Sequence, residues 1–378
     1  MRGIFASPPP PPPSALERAR ALAIDTAMSF VASASSARAL RLVVTAYGAL
    51  LCASVFSARA AFGARKIHDA ARATAHLALS GERRRSRRSP ARVDPARVRE
   101  IETATRKTIV FIRHGESAWN EIFNRRFDVT FPGRLFGSLA REMMRLFTCD
   151  SVFLDSPLSE VGLAQARALR ERFERDAERR RRGEGEPDAT MDCVLGVRGK
   201  CVIASSNLRR AVHTTVHALW CRLANGGASE RVVIHSALQE VARNVDTYAL
   251  ASKKGELVPT PTLAKELGVA AIDARALFDA SRNAGQKPIG RAASDSMREF
   301  AAWAMNQDAD VVVAGGHSIW FREFFKAYLP FDSECPGKKK KIVNCGVVAF
   351  DLTFGVHPAH GELYAVENVR EIYGGFSK

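Results

Sequence analysis

Thr108–Asn120 reads TIVFIRHGESAWN, and this stretch decides the fold. Thr108–Ile112 is a short apolar run rich in β-branched residues, the pattern of a strand buried on both faces. It passes without a spacer into Arg113-His114-Gly115-Glu116, so a charged and nucleophilic cluster stands at the carboxyl end of a strand. Similar runs follow at Cys201–Ala204, Arg231–Ile234, Val311–Ala314 and Ile342–Leu352, with helical sequence between them. Ser159 is placed to cap a helix running towards Arg182. Phe321, Phe324, Phe325 and Tyr328 fall at i, i+3, i+4 and i+7, one apolar helix face that belongs to the core. Strands alternating with helices imply an α/β fold, a three-layer α/β/α sandwich around a mostly parallel sheet. The runs 342–352 and 362–367 are expected to form an antiparallel edge pair.

Composition separates the 378 residues into two parts. Residues 1–100 hold 17 Lys+Arg against 6 Asp+Glu, a net of +11 out of the chain's +16. They open with Pro8–Pro13, a run that favours extended chain, and are expected to be a non-globular basic leader. Residues 42–58 (LVVTAYGALLCASVFSA) carry no charge and sit at the short limit of a membrane anchor. An Arg-, Ser- and Ala-rich, acid-poor leader also fits an organellar transit peptide for a mitochondrion or chloroplast. If 42–58 spans, the basic run Arg83–Arg88 favours a catalytic part facing cytoplasm or matrix. A plain disordered extension is the third reading.

The remaining +5 on residues 101–378 is mild. It suits an enzyme of anionic substrates and gives no reason to invoke nucleic acid. The seven cysteines show neither paired metal-ligand spacing nor a disulfide framework. Residues 121–155 and 243–296 break the α/β rhythm and are expected to be insertions walling a substrate pocket.

Ligands in open parallel sheets gather at the carboxyl ends of the strands. Those ends bring together Arg113 and His114, then Arg209 and Arg210, then Glu240, then Gly316-His317-Ser318. Neutral imidazole is a competent nucleophile, and guanidinium forks match phosphate oxygens. A second histidine can donate to the same oxygens, and a carboxylic acid can protonate the leaving oxygen. Glycines beside both histidines would let backbone N–H groups approach the anion. Glu116, Asp155 and Asp246 are further carboxylates within reach of such a site. The run Lys338–Lys341 reads first as a solvated turn and second as a draw for another phosphate of the substrate.

TIVFIRHGESAWN resembles the R-H-G-E-S-x-W-N signature of the histidine phosphatase superfamily, the phosphoglycerate mutase-like enzymes. Asp155–Ala166 (DSPLSEVGLAQA), Ser206–Thr214 (SNLRRAVHT) and Gly316-His317-Ser318 resemble three further family segments, in order. The resemblance implies a histidine acid-type phosphatase, a phosphoric monoester hydrolase that works without metal or cofactor. It makes His114 the nucleophile, Arg113 and Arg210 phosphate ligands, His317 the second histidine and Glu240 the proton donor. Ser117 and Asn120 would line the phosphate pocket. The implied substrate is a phosphorylated small molecule or a phosphoprotein. Mutase-type phosphotransfer is disfavoured by the length of 121–155. An anchored phosphoprotein phosphatase and a non-catalytic phosphate-binding module complete the alternatives.

Rival phosphotransfer schemes lack their residues. No cysteine is followed by arginine at the sixth position, and Asp308-Ala309-Asp310 precedes its strand, where a phosphoaspartate site needs to follow one. No phosphate-binding G-x-x-x-x-G-K-[ST] loop and no H-E-x-x-H helix is present.

Overall fold

The computed structural model describes residues 37–55, 57–83, 93–125, 128–184, 186–225 and 230–377. Pro8–Pro13 and Arg84–Arg88 lie outside them. Among the described residues, seven strands form one sheet in the order β4-β3-β2-β5-β1-β6-β7. Their ranges are β1 Thr105–Arg113, β2 Cys201–Ser205, β3 Val232–Ile234, β4 Phe278–Asp279, β5 Val311–Gly316, β6 Val347–His357 and β7 Gly361–Tyr373. The pairs β1–β5, β2–β5, β2–β3 and β3–β4 are parallel, while β6 runs antiparallel to both β1 and β7. The mostly parallel sheet with an antiparallel end pair is the arrangement that the strand-helix alternation implies.

The two faces of β1 show why its sequence is apolar throughout. Val110 and Ile112 pack with Leu169, Phe173, Val212 and Val216, from the helices Glu160–Arg181 and Arg209–Ala218. Ile109 and Phe111 point the other way, into Phe300, Phe321, Phe324 and Phe325 from the helices Ala293–Met305 and Ser318–Tyr328. Phe111 stacks on Phe321 with ring centroids 4.1 Å apart. A sheet covered on both faces is a three-layer sandwich, and alternation along a strand divides its side chains between the two layers. Ser159 caps the helix Glu160–Arg181, its hydroxyl accepting from Gly162 N–H at 3.1 Å.

The chain divides into two compact units, residues 1–64 and 65–378. In the first, the helix Ala37–Ser54 exposes Leu42, Val43 and Val44. Among the described residues no helix is long and apolar enough to cross a membrane, so the span considered for 42–58 is not found there.

The second unit begins well before the change of composition near residue 100. Arg65 pairs with Glu256, and Lys66 bonds the carbonyl of Arg145 and pairs with Glu142. Ala73 packs with Leu154, Tyr248 and Leu250. The short helix Pro95–Glu100 buries Val98 against Leu363 and Ala365. Residues 65–83 and 93–100, expected to be leader, therefore belong to the folded unit. Arginine-rich composition hides this because these side chains find acidic and carbonyl partners elsewhere in the unit.

Three smaller expectations change. Residues 121–155 contain a regular helix, Phe131–Met144. Residues 243–296 hold short helices and the two-residue strand β4. The last long run becomes strand only at Val347. Ile342 makes an isolated bridge to Phe376, and Cys345 takes a positive φ of 55°, which interrupts strand geometry before Gly346.

Candidate active site

Four of the expected residues meet where the parallel strands end. His114 follows β1, Arg210 lies in the first turn of the helix after β2, and His317 follows β5 and caps the helix Ser318–Tyr328. The two imidazole rings are 5.1 Å apart, centroid to centroid. Arg113 closes β1 beside them, its Nη1 donating to the carbonyl of Ile342 at 2.5 Å. His114, Arg210 and His317 are buried, while Arg113 is partly exposed.

The local chemistry fixes the state of His114. Burial holds its pKa well below the ordinary imidazole value, and the charges of Arg210 and Arg113 push in the same direction. The ring is therefore neutral and carries one N–H. Nδ1 lies 2.6 Å from the carbonyl oxygen of Gly115, which can only accept, so the proton sits on Nδ1. Nε2 keeps the lone pair. His317 is held neutral in the same way, by burial first and then by Arg210, His114, Lys287 and Arg113.

Among the described residues, several buried donors of the cluster have no protein partner. These are Nε of Arg113, Nε of Arg210 and, depending on tautomer, Nδ1 of His317. Three donors of this kind around His114 are available to an anionic group. Burial pushes the Arg113 pKa down to about 10, which still leaves it charged at neutral pH.

The remaining expected residues are placed differently. Ser117 is buried and its hydroxyl caps the helix Ala118–Phe123, accepting from Asn120 N–H at 3.2 Å. Asn120 lines an open cleft of about 380 Å³ together with Arg113, Asn124, Arg125, Gln165 and Asn344. That cleft adjoins the cluster through Arg113 and does not include the histidines. Glu240 is buried at the start of the Ser318–Tyr328 helix. Its Oε1 accepts N–H from Val241 and Trp320 at 3.0 Å, and Oε2 takes Ile319 N–H at a long 3.4 Å. It thus ties the helix that follows His317 to the segment after β3.

Gly115 N–H, expected to face the anion, donates instead to Thr214 Oγ1 at 3.1 Å. Gly115 is needed for packing. A Cβ there would lie 2.6 Å from the carbonyl oxygen of Gly162, and one on Gly162 would lie 1.9 Å from that of Glu116.

Sequence reasoning passed over three supporting residues, Thr214, Ser206 and Lys287, and named a fourth, Asp246, only as a further carboxylate within reach. Thr214 stands one turn after Arg210 and bonds its carbonyl at 2.8 Å, joining the helix to Gly115. Ser206 Oγ meets His317 Nε2 at 2.9 Å. Both lie inside the SNLRRAVHT segment, so their signal was position next to a ligand. Asp246 pairs with Arg210 at 3.3 Å, and burial raises its pKa to about 6. Lys287 donates to the carbonyls of Glu240 at 2.6 Å and Ala242 at 3.0 Å. Those two come from the long 243–296 stretch, where no periodicity points to them. The two adjacent arginines differ in their contacts. Arg209 is held by Asp150, the carbonyl of Ser151 and the carbonyl of Asp155, away from the histidines.

The chain is similar to several solved structures. A mycobacterial glucosyl-3-phosphoglycerate phosphatase in complex with VO3 is 17% identical, with a TM-score of 0.32, over 69% of this chain and 97% of that one. Mycobacterial hydrolase 1 is 16% identical, with a TM-score of 0.34, over 72% and 100%. A phosphoserine phosphatase from Entamoeba histolytica is 16% identical, with a TM-score of 0.30, over 71% and 98%. No family model matches the chain, and no curated protein matches it. These distant likenesses carry no argument about function, which rests on the site residues themselves.

Proposed function

We propose that this chain hydrolyses phosphomonoesters through a phosphohistidine on His114. One observation carries the reading: a neutral imidazole with its proton tied to a backbone carbonyl, leaving Nε2 as nucleophile between two arginines. In the first step Nε2 attacks phosphorus, the ester P–O bond breaks, and a carboxylic acid protonates the leaving oxygen. In the second, water attacks phosphorus, the P–N bond breaks, and the same carboxylate takes the water proton. Arg113 and Arg210 bind the phosphoryl oxygens with the positive charge that metal ions supply in other phosphoryl-transfer sites. With Ser206 O–H donating to His317 Nε2, the Nδ1 proton of His317 is free for the same oxygens. Glu240 is the proposed donor, through Oε2, and Asp246 is the second carboxyl of the cluster.

The test uses the full chain, because residues 65–83 and 93–100 are part of the folded unit. Hydrolysis of an aryl phosphate with EDTA present should fall at least about 10³-fold in His114→Ala. Activity retained in that variant would overturn the mechanism. Transfer to a second hydroxyl in preference to water, seen as phosphoryl exchange between glycerate positions, would favour the mutase alternative.

A further inference from the structure

One group of cations beside the site is left over from this chemistry. Arg83, from the segment first read as leader, reaches across to the Ser318–Tyr328 helix and pairs with Glu323 at 3.0 Å. Glu323 also faces Lys326 at 3.2 Å and Arg322 at 4.0 Å. Glu323 is thus shared by Arg83, Arg322 and Lys326. Among the described residues, Nε of Arg83 and Nε of Arg322 are buried without a hydrogen-bond partner, like Nε of Arg113.

Lys341 completes the group from another direction. It precedes Ile342, whose carbonyl is the acceptor for Arg113 Nη1. Within the lysine run, Lys338 is occupied by the carbonyls of Pro330 and Phe331. Among the described residues Lys341 has no such anchor, and its pKa is lowered by partial burial first and then by the charges of Arg113, Arg322 and Arg83, with Glu240 opposing. Like charges gathered on four separate segments disfavour one another unless an anion joins them.

We propose that Arg83, Arg322 and Lys341 form a second anion subsite beside Arg113, so that the substrate carries a carboxylate or second phosphate besides its scissile phosphate. This rests on the phosphatase reading for the position of the scissile group. Arginine forks suit either anion, and the shared chemistry is an oxyanion with two or three acceptor oxygens. The segment before residue 84 is then part of the substrate site.

A series of alkyl phosphates of two to four carbons, ending in hydroxyl, carboxylate or phosphate, tests this on the full chain. Turnover is measured with the active protein, and binding with His114→Ala by calorimetry. The wild type should prefer an anionic terminus by at least tenfold in kcat/KM at its best chain length. Whether carboxylate or phosphate wins identifies the second group. Arg83→Ala and Arg322→Ala should each lower kcat/KM for that substrate at least tenfold more than for the hydroxyl-terminated one. Arg83→Lys should restore part of the preference, which a merely structural loss would not allow. Equal losses on all termini, or no preference in the wild type, would overturn the subsite. Charge-dependent binding to His114→Ala without hydrolysis by the wild type would keep the subsite and sink the phosphatase reading.

Discussion

At the scale of single residues, the site works by burying groups whose charge states burial then selects. His114 and His317 are neutral because water is excluded and two guanidinium groups stand close. The same exclusion acts on Asp246 with the opposite consequence: its pKa rises to about 6, from an ordinary carboxyl value near 3.8. The native state therefore holds the Asp246 proton more tightly than the unfolded chain does. Between those two values the native state binds more protons, so the Asp246 contribution to stability declines as pH rises and levels off above about 6. The span corresponds to roughly 3 kcal/mol. Urea denaturation of the wild type and Asp246→Asn from pH 4 to 7.5 isolates it. The wild type should lose stability relative to the variant over pH 4–6 and then run parallel to it. Parallel curves throughout would show that Asp246 is not held in this way. Sequence alone pointed to His114, Arg113, Arg210 and His317 because a strand end or a first helical turn fixes each of them. Asp246 was visible only as one of three further carboxylates, and Lys287 not at all, because both come from the long 243–296 stretch, where position in space has no periodic signature.

Elements explain why the same motif residues recur together. The end of β1 and the start of the Glu160–Arg181 helix touch backbone to backbone at Gly115 and Gly162. The bond from Ser159 N–H to the Glu116 carbonyl, 2.9 Å long, locks that contact. A methyl group on Gly162 would meet Glu116 backbone, which has no rotamer by which to yield. Gly162→Ala should cost about 1–3 kcal/mol and should lower activity by displacing His114. Gly137→Ala, in the exposed helix Phe131–Met144 with open space around the new methyl, should instead gain about 0.5–1 kcal/mol. Thermal denaturation of both decides the matter: two changes of the same sign would mean that the contact is not tight. The sandwich, its parallel strands and its aromatic core were readable from the sequence, because β1 alternates between two apolar layers and Phe321, Phe324 and Phe325 share one helix face. The helix Phe131–Met144 was missed for a physical reason. Its inward side includes Arg134, Ser138 and Glu142 while Phe136, Met143 and Met144 face solvent, so the usual apolar-inward signal is absent.

For the whole molecule, the question is where the enzyme begins. Composition places the boundary near residue 100, but the folded unit takes in Arg65–Arg83, and a buried ion pair shows how firmly. Glu82 and Lys287 are both nearly inaccessible, and Glu82 Oε2 lies 3.2 Å from Lys287 Nζ. Lys287 in turn holds the carbonyls of Glu240 and Ala242 at the edge of the site. Burial lowers the Lys287 pKa, and Glu82 is the largest influence opposing that shift. Removing Glu82 alone strands a buried ammonium, which typically costs about 3–5 kcal/mol, whereas removing both charges together is often close to neutral. Glu82→Gln should therefore destabilise the full chain strongly, and Glu82→Gln combined with Lys287→Met should recover most of the loss. A chain starting at Val93 should behave like Glu82→Gln, because it too leaves Lys287 uncompensated. Urea midpoints for these three proteins and the wild type provide the comparison. If the shortened chain matched the wild type in stability, Arg65–Arg83 would be an appendage after all, and the domain would begin where the composition changes.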